Sequence, residues 1–206
     1  MENTRVLDTG FYYCIEKAGL AEFKDRGSRF IAYAFPIANP DDFKQCLEQV
    51  RKEHPKASHH CFAYRLGLDM DRYRVSDDGE PSGSAGRPIL GQIDSRQLTN
   101  TMIIVVRYFG GTLLGIPGLI NAYKTSASLV LQVTPVVQKA VMVNYRIECD
   151  YTIINEVMTI IKQFGCLVLD QELQLFCQLR IGIPLNRREE VLFKLTDLRG
   201  ISVHPL

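Results

Sequence analysis

Hydrophobic residues in this chain recur with two periods, and the switches between them lay out its elements. "SRFIAYAFPIA", residues 28–38, is the first strongly patterned stretch. It is aromatic and aliphatic, bounded by Gly27 and by Asn39-Pro40, and it predicts a strand. In "NPDDFKQCLEQVRKEHP" the apolar positions Phe43, Cys46, Leu47 and Val50 follow an i, i+3, i+4, i+7 spacing. That is an amphipathic helix, which Asn39 or Asp41 would cap and Pro55 would stop. "ASHHCFAYRLG", 57–67, alternates as a strand. "DMDRYRVSDDGEPSGSAGRP", 69–88, is charged and rich in Gly and Ser, and reads as a long loop. Pro88 stands at a helix-start position in "PILGQIDSRQL". "NTMIIVVRYFG" is the continuous β-branched run expected of a strand buried on both faces. After a Gly-rich turn comes a helix with Ile120, Tyr123, Ala127, Val130 and Leu131 on one face and Asn121, Lys124, Thr125 and Ser128 on another; Thr134-Pro135 breaks it.

The remainder is more regular. "VMVNYRIECDYT" alternates as a strand, and "INEVMTIIKQFG" is a helix closed by Gly165. "CLVLDQELQ" and "LFCQLRIGIP" make a hairpin, "NRREEVLFKLTDLRG" a helix closed by Gly200, and "ISVHPL" a last strand. The order β-α-β-β-α-β is the ferredoxin-like pattern. The expectation is an α+β protein of two domains, 1–134 and 135–206.

Composition changes this picture little. Hydrophobic residues make up 46% and charged residues 23%, ordinary for a globular chain with real cores. The net charge is +1, and it is not concentrated: residues 1–135 hold 16 Lys and Arg against 15 Asp and Glu, and residues 136–206 hold 8 against 8. The bulk electrostatic footprint of a nucleic-acid binder is absent, which leaves only a local patch. The six cysteines form no C-x-x-C pair, and with no signal peptide they read as reduced residues of a cytoplasmic protein. No stretch has the length of a transmembrane helix.

Three segments carry candidate chemistry. In the Gly-rich turn, Gly110 and Gly115 have Walker A spacing, but Ile116 stands where the lysine is required, and Lys124 lies about 10 Å further along the helix axis at 1.5 Å per residue. The turn is therefore not a P-loop. Its glycines either let strand and helix pack closely or, with Arg107 near a helix start, form an anion-binding surface. In the loop, Asp77, Asp78 and Glu80 could hold a hard cation, and the stretch from Ser82 and Gly83 to Arg87 would suit close approach by another backbone or by a phosphate at a helix N-terminus. A flexible acidic loop is the plainer alternative. "HHC", 59–61, puts His59 and Cys61 on one face of a strand and His60 on the other. It lacks the second cluster that a structural zinc needs, so one core residue and one rim residue are expected, with no metal and no cofactor. No G-x-S-x-G or persuasive Cys–His dyad appears.

"GQIDSRQLTNTMIIVVRYFGGTLLG", 91–115, closely resembles the signature of the YigZ/IMPACT family, and "SRFIAYAFPI", "ASHHCFAYRLG" and "SDDGEPSGSAGRPIL" resemble its other recurring blocks. The second half is similar to the small ferredoxin-like domain of bacterial members. The resemblance implies an N-terminal α+β sandwich of the elongation factor G domain IV type, followed by a domain like domain V of that factor. Eukaryotic relatives act in translational control by binding a co-activator of a starvation-sensing kinase, and the resemblance carries no catalytic assignment.

The expected activity is thus non-enzymatic binding, linked to translation through RNA, the ribosome or a protein partner, with no membrane role. The surface would comprise His59, His60, Asp78, Glu80, Ser82, Gly83, Arg87, Arg107, Tyr108, Gly110, Gly111 and Lys124. The alternative is a metal-assisted enzyme acting on a phosphorylated or peptide-like small molecule.

Overall fold

The computed structural model describes residues 10–69, 71–173 and 177–206. These divide into two compact units, Tyr12–Lys139 and a second comprising Ala140–Leu206 together with Gly10 and Phe11. The architecture is mixed α+β, with five α-helices among the described residues. No helix is long and apolar enough to cross a membrane. All six cysteines are free thiols.

The first unit is built on a five-stranded antiparallel sheet. Its strands are β2 (Gly19–Asp25), β3 (Ser28–Pro36), β4 (His59–Leu66), β5 (Arg72–Ser76) and β6 (Thr101–Tyr108), ordered β2-β3-β6-β4-β5. Two further strands, β1 (Phe11–Ile15) and β7 (Val136–Ala140), pair separately. Helix α1 (Pro40–Glu53) covers one sheet face. Helices α2 (Gly86–Ser95) and α3 (Gly115–Val133) cover the other. The β-branched run of β6 falls at the centre because it is apolar on both sides. Ile103 and Val105 pack under α2 and α3, while Met102, Ile104 and Val106 pack under α1. On β3 the inward Ala32 and Ala34 are small, which lets α3 lie close to the sheet. Asn39 caps α1, accepting from the Asp41 and Asp42 amides, and Asp42 accepts back from the Asn39 amide in a capping box.

In three places the structure departs from the pattern reading. Strands β1, β2 and β7 lie outside the segments with strong periodicity. The 69–88 segment is not all loop, since β5 pairs with β4. The apolar partners of β5 are covered by cations: Arg74 lies over the Phe43 and Phe62 rings. A sheet edge covered by arginine leaves no aliphatic alternation to read. On α3, Ile120 is exposed, and Leu119 and Ala122 take its place in the core beside Tyr123, Ala127, Val130 and Leu131.

The second unit runs β8 (Met142–Cys149), α4 (Ile154–Gln163), β9 (Leu167–Leu173), β10 (Cys177–Pro184), α5 (Arg188–Thr196) and β11 (Ile201–Pro205). Its sheet order is β11-β8-β10-β9, with every pairing antiparallel, the ferredoxin-like arrangement. Ile147, Leu179, Ile181 and Ile183 form the core against Val157, Ile161, Val191 and Leu195 from the two helices.

Candidate functional site

Both glycine-bearing segments leave the five-stranded sheet at the same end. Arg107 near the end of β6 is opposite His59 at the start of β4, and the residues following β5 run back alongside that start. Antiparallel pairing therefore brings the 76–86 loop, the 109–114 turn and the start of β4 together, although they are far apart in sequence.

Arg107, Glu80 and Tyr123 form the centre. The Arg107 Nη1 donates to Glu80 Oε1 at 2.7 Å, and the Tyr123 hydroxyl donates to the same oxygen at 2.7 Å. All three side chains are buried. The Arg107 Nη2 reaches Ser28 Oγ at 3.4 Å, its guanidinium sits 5.5 Å from the Phe30 ring centre, and its Nε is buried without a hydrogen-bond partner. Glu80 thus ties the 76–86 loop to β6 and α3 through a buried, hydrogen-bonded charge pair.

The neighbours are equally committed. Asp77 accepts three backbone N–H bonds: Oδ1 takes those of Ala85 (3.0 Å) and Gly86 (2.9 Å), and Oδ2 takes that of Gly83 (2.8 Å). The chain's own carboxylate therefore occupies the start of α2, where an external anion was expected. Asp78, with φ +42°, accepts from the His60 amide at 2.6 Å and pairs with Arg51 at 3.2 Å. Asp77, Asp78 and Glu80 consequently point at different partners, and no three His, Cys, Asp or Glu side chains among the described residues are grouped to hold a metal.

His59 Nδ1 donates to the Asp78 carbonyl at 2.8 Å, which leaves its Nε2 3.8 Å from Glu80 Oε1. Cys61 lies on the same strand face, buried, with Sγ 3.0 Å from the Asp77 carbonyl and 3.3 Å from the Tyr123 hydroxyl. Burial pushes the Cys61 thiol well above its ordinary range, and it does the same to the Tyr123 phenol. Neither group is an available nucleophile or base near neutral pH. His60, on the opposite face, is held below the ordinary histidine value chiefly by burial, against the pull of Asp78.

Of the residues expected at a surface, His60, Glu80 and Arg107 are buried. His59, Asp78, Gly83 and Tyr108 are half-buried, and Ser82, Arg87, Gly110, Gly111 and Lys124 are exposed. Tyr108 is turned away from the network, its hydroxyl 2.9 Å from His54 Nδ1. Sequence reasoning missed the roles of two groups that organise the site: Asp77, read as a candidate cation ligand, and Tyr123. The bonds from Asp77 span six to nine residues, longer than a local capping signal, and Tyr123 was legible only as a core position. The 109–114 turn contrasts with all of this. Gly110 is pressed against the β2–β3 turn, where an added Cβ would sit 1.9 Å from the Gly27 carbonyl carbon. Phe109, Leu113 and Ile116 stand exposed around it.

The Impact N-terminal domain family matches residues 26–131, the segment that contains the network and both glycine-bearing loops. The Escherichia coli protein named IMPACT family member YigZ is 34% identical over 87% of this chain and 89% of its own length. The Bacillus subtilis IMPACT family member YvyE is 36% identical over 71% of this chain and 67% of its own. A crystal structure described as that of an hypothetical protein superposes with a TM-score of 0.74 at 29% identity, covering 96% of this chain and 98% of the other. With the family domain spanning half of the sequence and relatives of this similarity matching most of it, the chain belongs to the IMPACT family.

Proposed function

We propose that this protein is a non-enzymatic binding protein linked to translation or its regulation, acting through contacts with RNA, the ribosome or a protein partner. One observation carries the reading. At the end of the sheet where the family blocks meet, Glu80, Arg107, Tyr123 and Cys61 are buried and bonded among themselves or to the backbone, and Asp77 is bonded to backbone amides, while the exposed features include a glycine turn, apolar side chains and the cations Arg87 and Lys124. A site committed to catalysis keeps its acid, base or nucleophile accessible to substrate. Here Glu80, Arg107, Tyr123 and Cys61 are sealed, and the carboxylates of the metal-assisted alternative diverge. The elongation factor G domain IV and V architecture implied by the family resemblance fits the same reading.

The test is co-sedimentation of the purified protein with ribosomes across a salt series, with and without nuclease. Association should weaken as salt rises, and the Arg87→Ala, Lys124→Ala double variant should show a shallower salt dependence. Association that survives nuclease assigns the contact to protein. Absence of association at low salt, in both arms, contradicts the proposal.

A further inference from the structure

Each of the two larger sheets ends in a strand with an open edge, and the two edges carry opposite charge. β5 is an outermost strand of the first sheet and β9 of the second. Arg72, Tyr73 and Arg74 on β5 are all exposed. The next residues, Val75 and Ser76, are closed off by Gly86 at the start of α2, where an added Cβ would meet the Ser76 amide nitrogen at 2.8 Å. Leu167 to Glu172 on β9 are exposed without interruption. An edge strand presents unpaired N–H and C=O groups, and proteins usually guard it with cations, Pro or a covering element. β9 contains no Lys, Arg or Pro, and Leu167, Val168 and Leu169 are 52%, 41% and 50% exposed. Its register shift falls at Arg180/Ile181, which leaves Asp170 to Leu173 regularly paired with β10.

Alternation puts Arg72 and Arg74 on one face of β5, the side of Phe43 and Phe62, over whose rings Arg74 lies. Neither arginine has an ion-pair partner among the described residues. On β9, Asp170 and Glu172 likewise share one face, opposite Arg180 and Gln178 of β10. The one hydrogen bond to the Asp170 carboxylate among the described residues comes from the Gln171 amide at 2.9 Å, and neither acid has an ion-pair partner there. Two cations and two carboxylates thus stand at the same i, i+2 spacing, about 7 Å along a strand. Charges of the other sign sit off these edges. Asp71 falls outside β5, within electrostatic reach of Arg65, and Arg180 lies one strand in from the β9 edge.

We propose that β5 of one copy of this chain and β9 of a second copy pair edge to edge, with Arg72 and Arg74 opposite Asp170 and Glu172. Cross-strand pairs of opposite charge favour such pairing, and like charges directly opposite disfavour it. The same rule opposes β5 on β5, where arginine would face arginine, and β9 on β9, where carboxylate would face carboxylate. A second copy is chosen over an unrelated strand because this chain carries both halves of the match, in equal number and at equal spacing. The two edges differ, so the contact is heterologous and generates rings or open chains, not an isologous dimer. It is also short, since only Arg72, Tyr73 and Arg74 of β5 are open. The buried area therefore falls below the about 1,200 Å² of a stable interface, and the association is weak, reversible and salt-sensitive. None of this depends on the translational reading above.

The test is sedimentation velocity of the full chain over a concentration series up to about 0.5 mM, at low salt and at about 0.5 M salt. The weight-average sedimentation coefficient of the parent should rise with concentration at low salt, and less so at high salt. Arg72→Glu with Arg74→Glu, and separately Asp170→Lys with Glu172→Lys, should each remain monomeric. An equal mixture of these two variants should associate again, because the reversed charges match. Arg74 also shields Phe43 and Phe62, so Arg72→Glu alone is a second variant. It should raise the dissociation constant at least about threefold with circular dichroism unchanged. A parent that stays monomeric at low salt overturns the proposal; its edges are then guarded by charge or kept for another protein. A charge-reversed variant that associates as the parent does overturns it too, as does a mixture that stays monomeric. Ribosome association by a monomeric parent removes the self-pairing alone, and self-pairing without ribosome association removes the translational link alone.

Discussion

The two glycine-bearing segments start from similar sequence material and end in opposite states. Each lies between a strand and a helix, and each invites the reading of an anion-binding helix N-terminus. In the 76–86 loop a carboxylate from the same loop takes three of the amide donors, and a second carboxylate, Glu80, is drawn into a buried pair with Arg107. In the 109–114 turn no such acid is present, and the amides of Gly111, Thr112 and Leu113 make no hydrogen bond to described residues. Helix starts attract negative charge in both cases; what differs is whether the chain supplies it. The loop that carries its own acids becomes a structural clasp, and the loop without them remains a surface.

The comparison can be broken at the clasp. Glu80→Ala strands the Arg107 guanidinium in the interior, and a loss of about 3–5 kcal/mol is expected in urea denaturation. Adding Arg107→Met should restore part of that loss, because the unpaired charge goes with it. A smaller cost is expected in the turn. Gly110→Ala forces its methyl group into the Gly27 backbone and should cost about 1–3 kcal/mol, whereas Gly111, at φ +84° with open space around it, should cost about 1 kcal/mol as alanine. The contrast in thermal stability between the two variants separates a steric joint from a conformational preference. Asp77→Ala frees the α2 start and should cost about 1–2 kcal/mol. Sulfate or phosphate should then raise the melting temperature of this variant more than that of the parent, since the vacated donors can take an external anion.

The smallest effect concerns pH. The His60 value is lowered in the folded state by burial, so the unfolded chain takes up the proton first. His60 therefore contributes stability that is full above the ordinary histidine value of about 6.5 and is lost as pH falls toward its depressed folded value. His60→Gln should flatten the stability profile in that window, measured by denaturant midpoints at successive pH values.

Much of the fold was legible because each element carried its own period. The helix after Asn39, the β6 run and the whole ferredoxin-like order were readable from spacing and from Gly or Pro punctuation. Strand β5 was not, because its apolar partners are covered by Arg74 and not by aliphatic side chains. Within the site, the pairing of Arg107 with Glu80 spans 27 residues and depends on the sheet bringing β5 beside β4 and β4 beside β6. Such a contact leaves no local pattern. The same holds for Asp77, whose acidic neighbours suggested a cation site while its oxygens were bound to backbone amides. Ile120 was read onto the same helix face as Tyr123, Ala127, Val130 and Leu131, but the buried residues of α3 are Leu119, Ala122 and Tyr123 with Ser126, Ala127, Val130 and Leu131, and Ile120 is exposed.

Amide hydrogen exchange tests the contrast between clasp and surface most directly. The Gly83, Ala85 and Gly86 amides, which donate to Asp77, should exchange slowly and lose that protection in Asp77→Ala, while Gly111, Thr112 and Leu113 should exchange at close to unprotected rates. Fast exchange at 83–86 in the parent, or strong protection across 111–113 in the isolated protein, would contradict it.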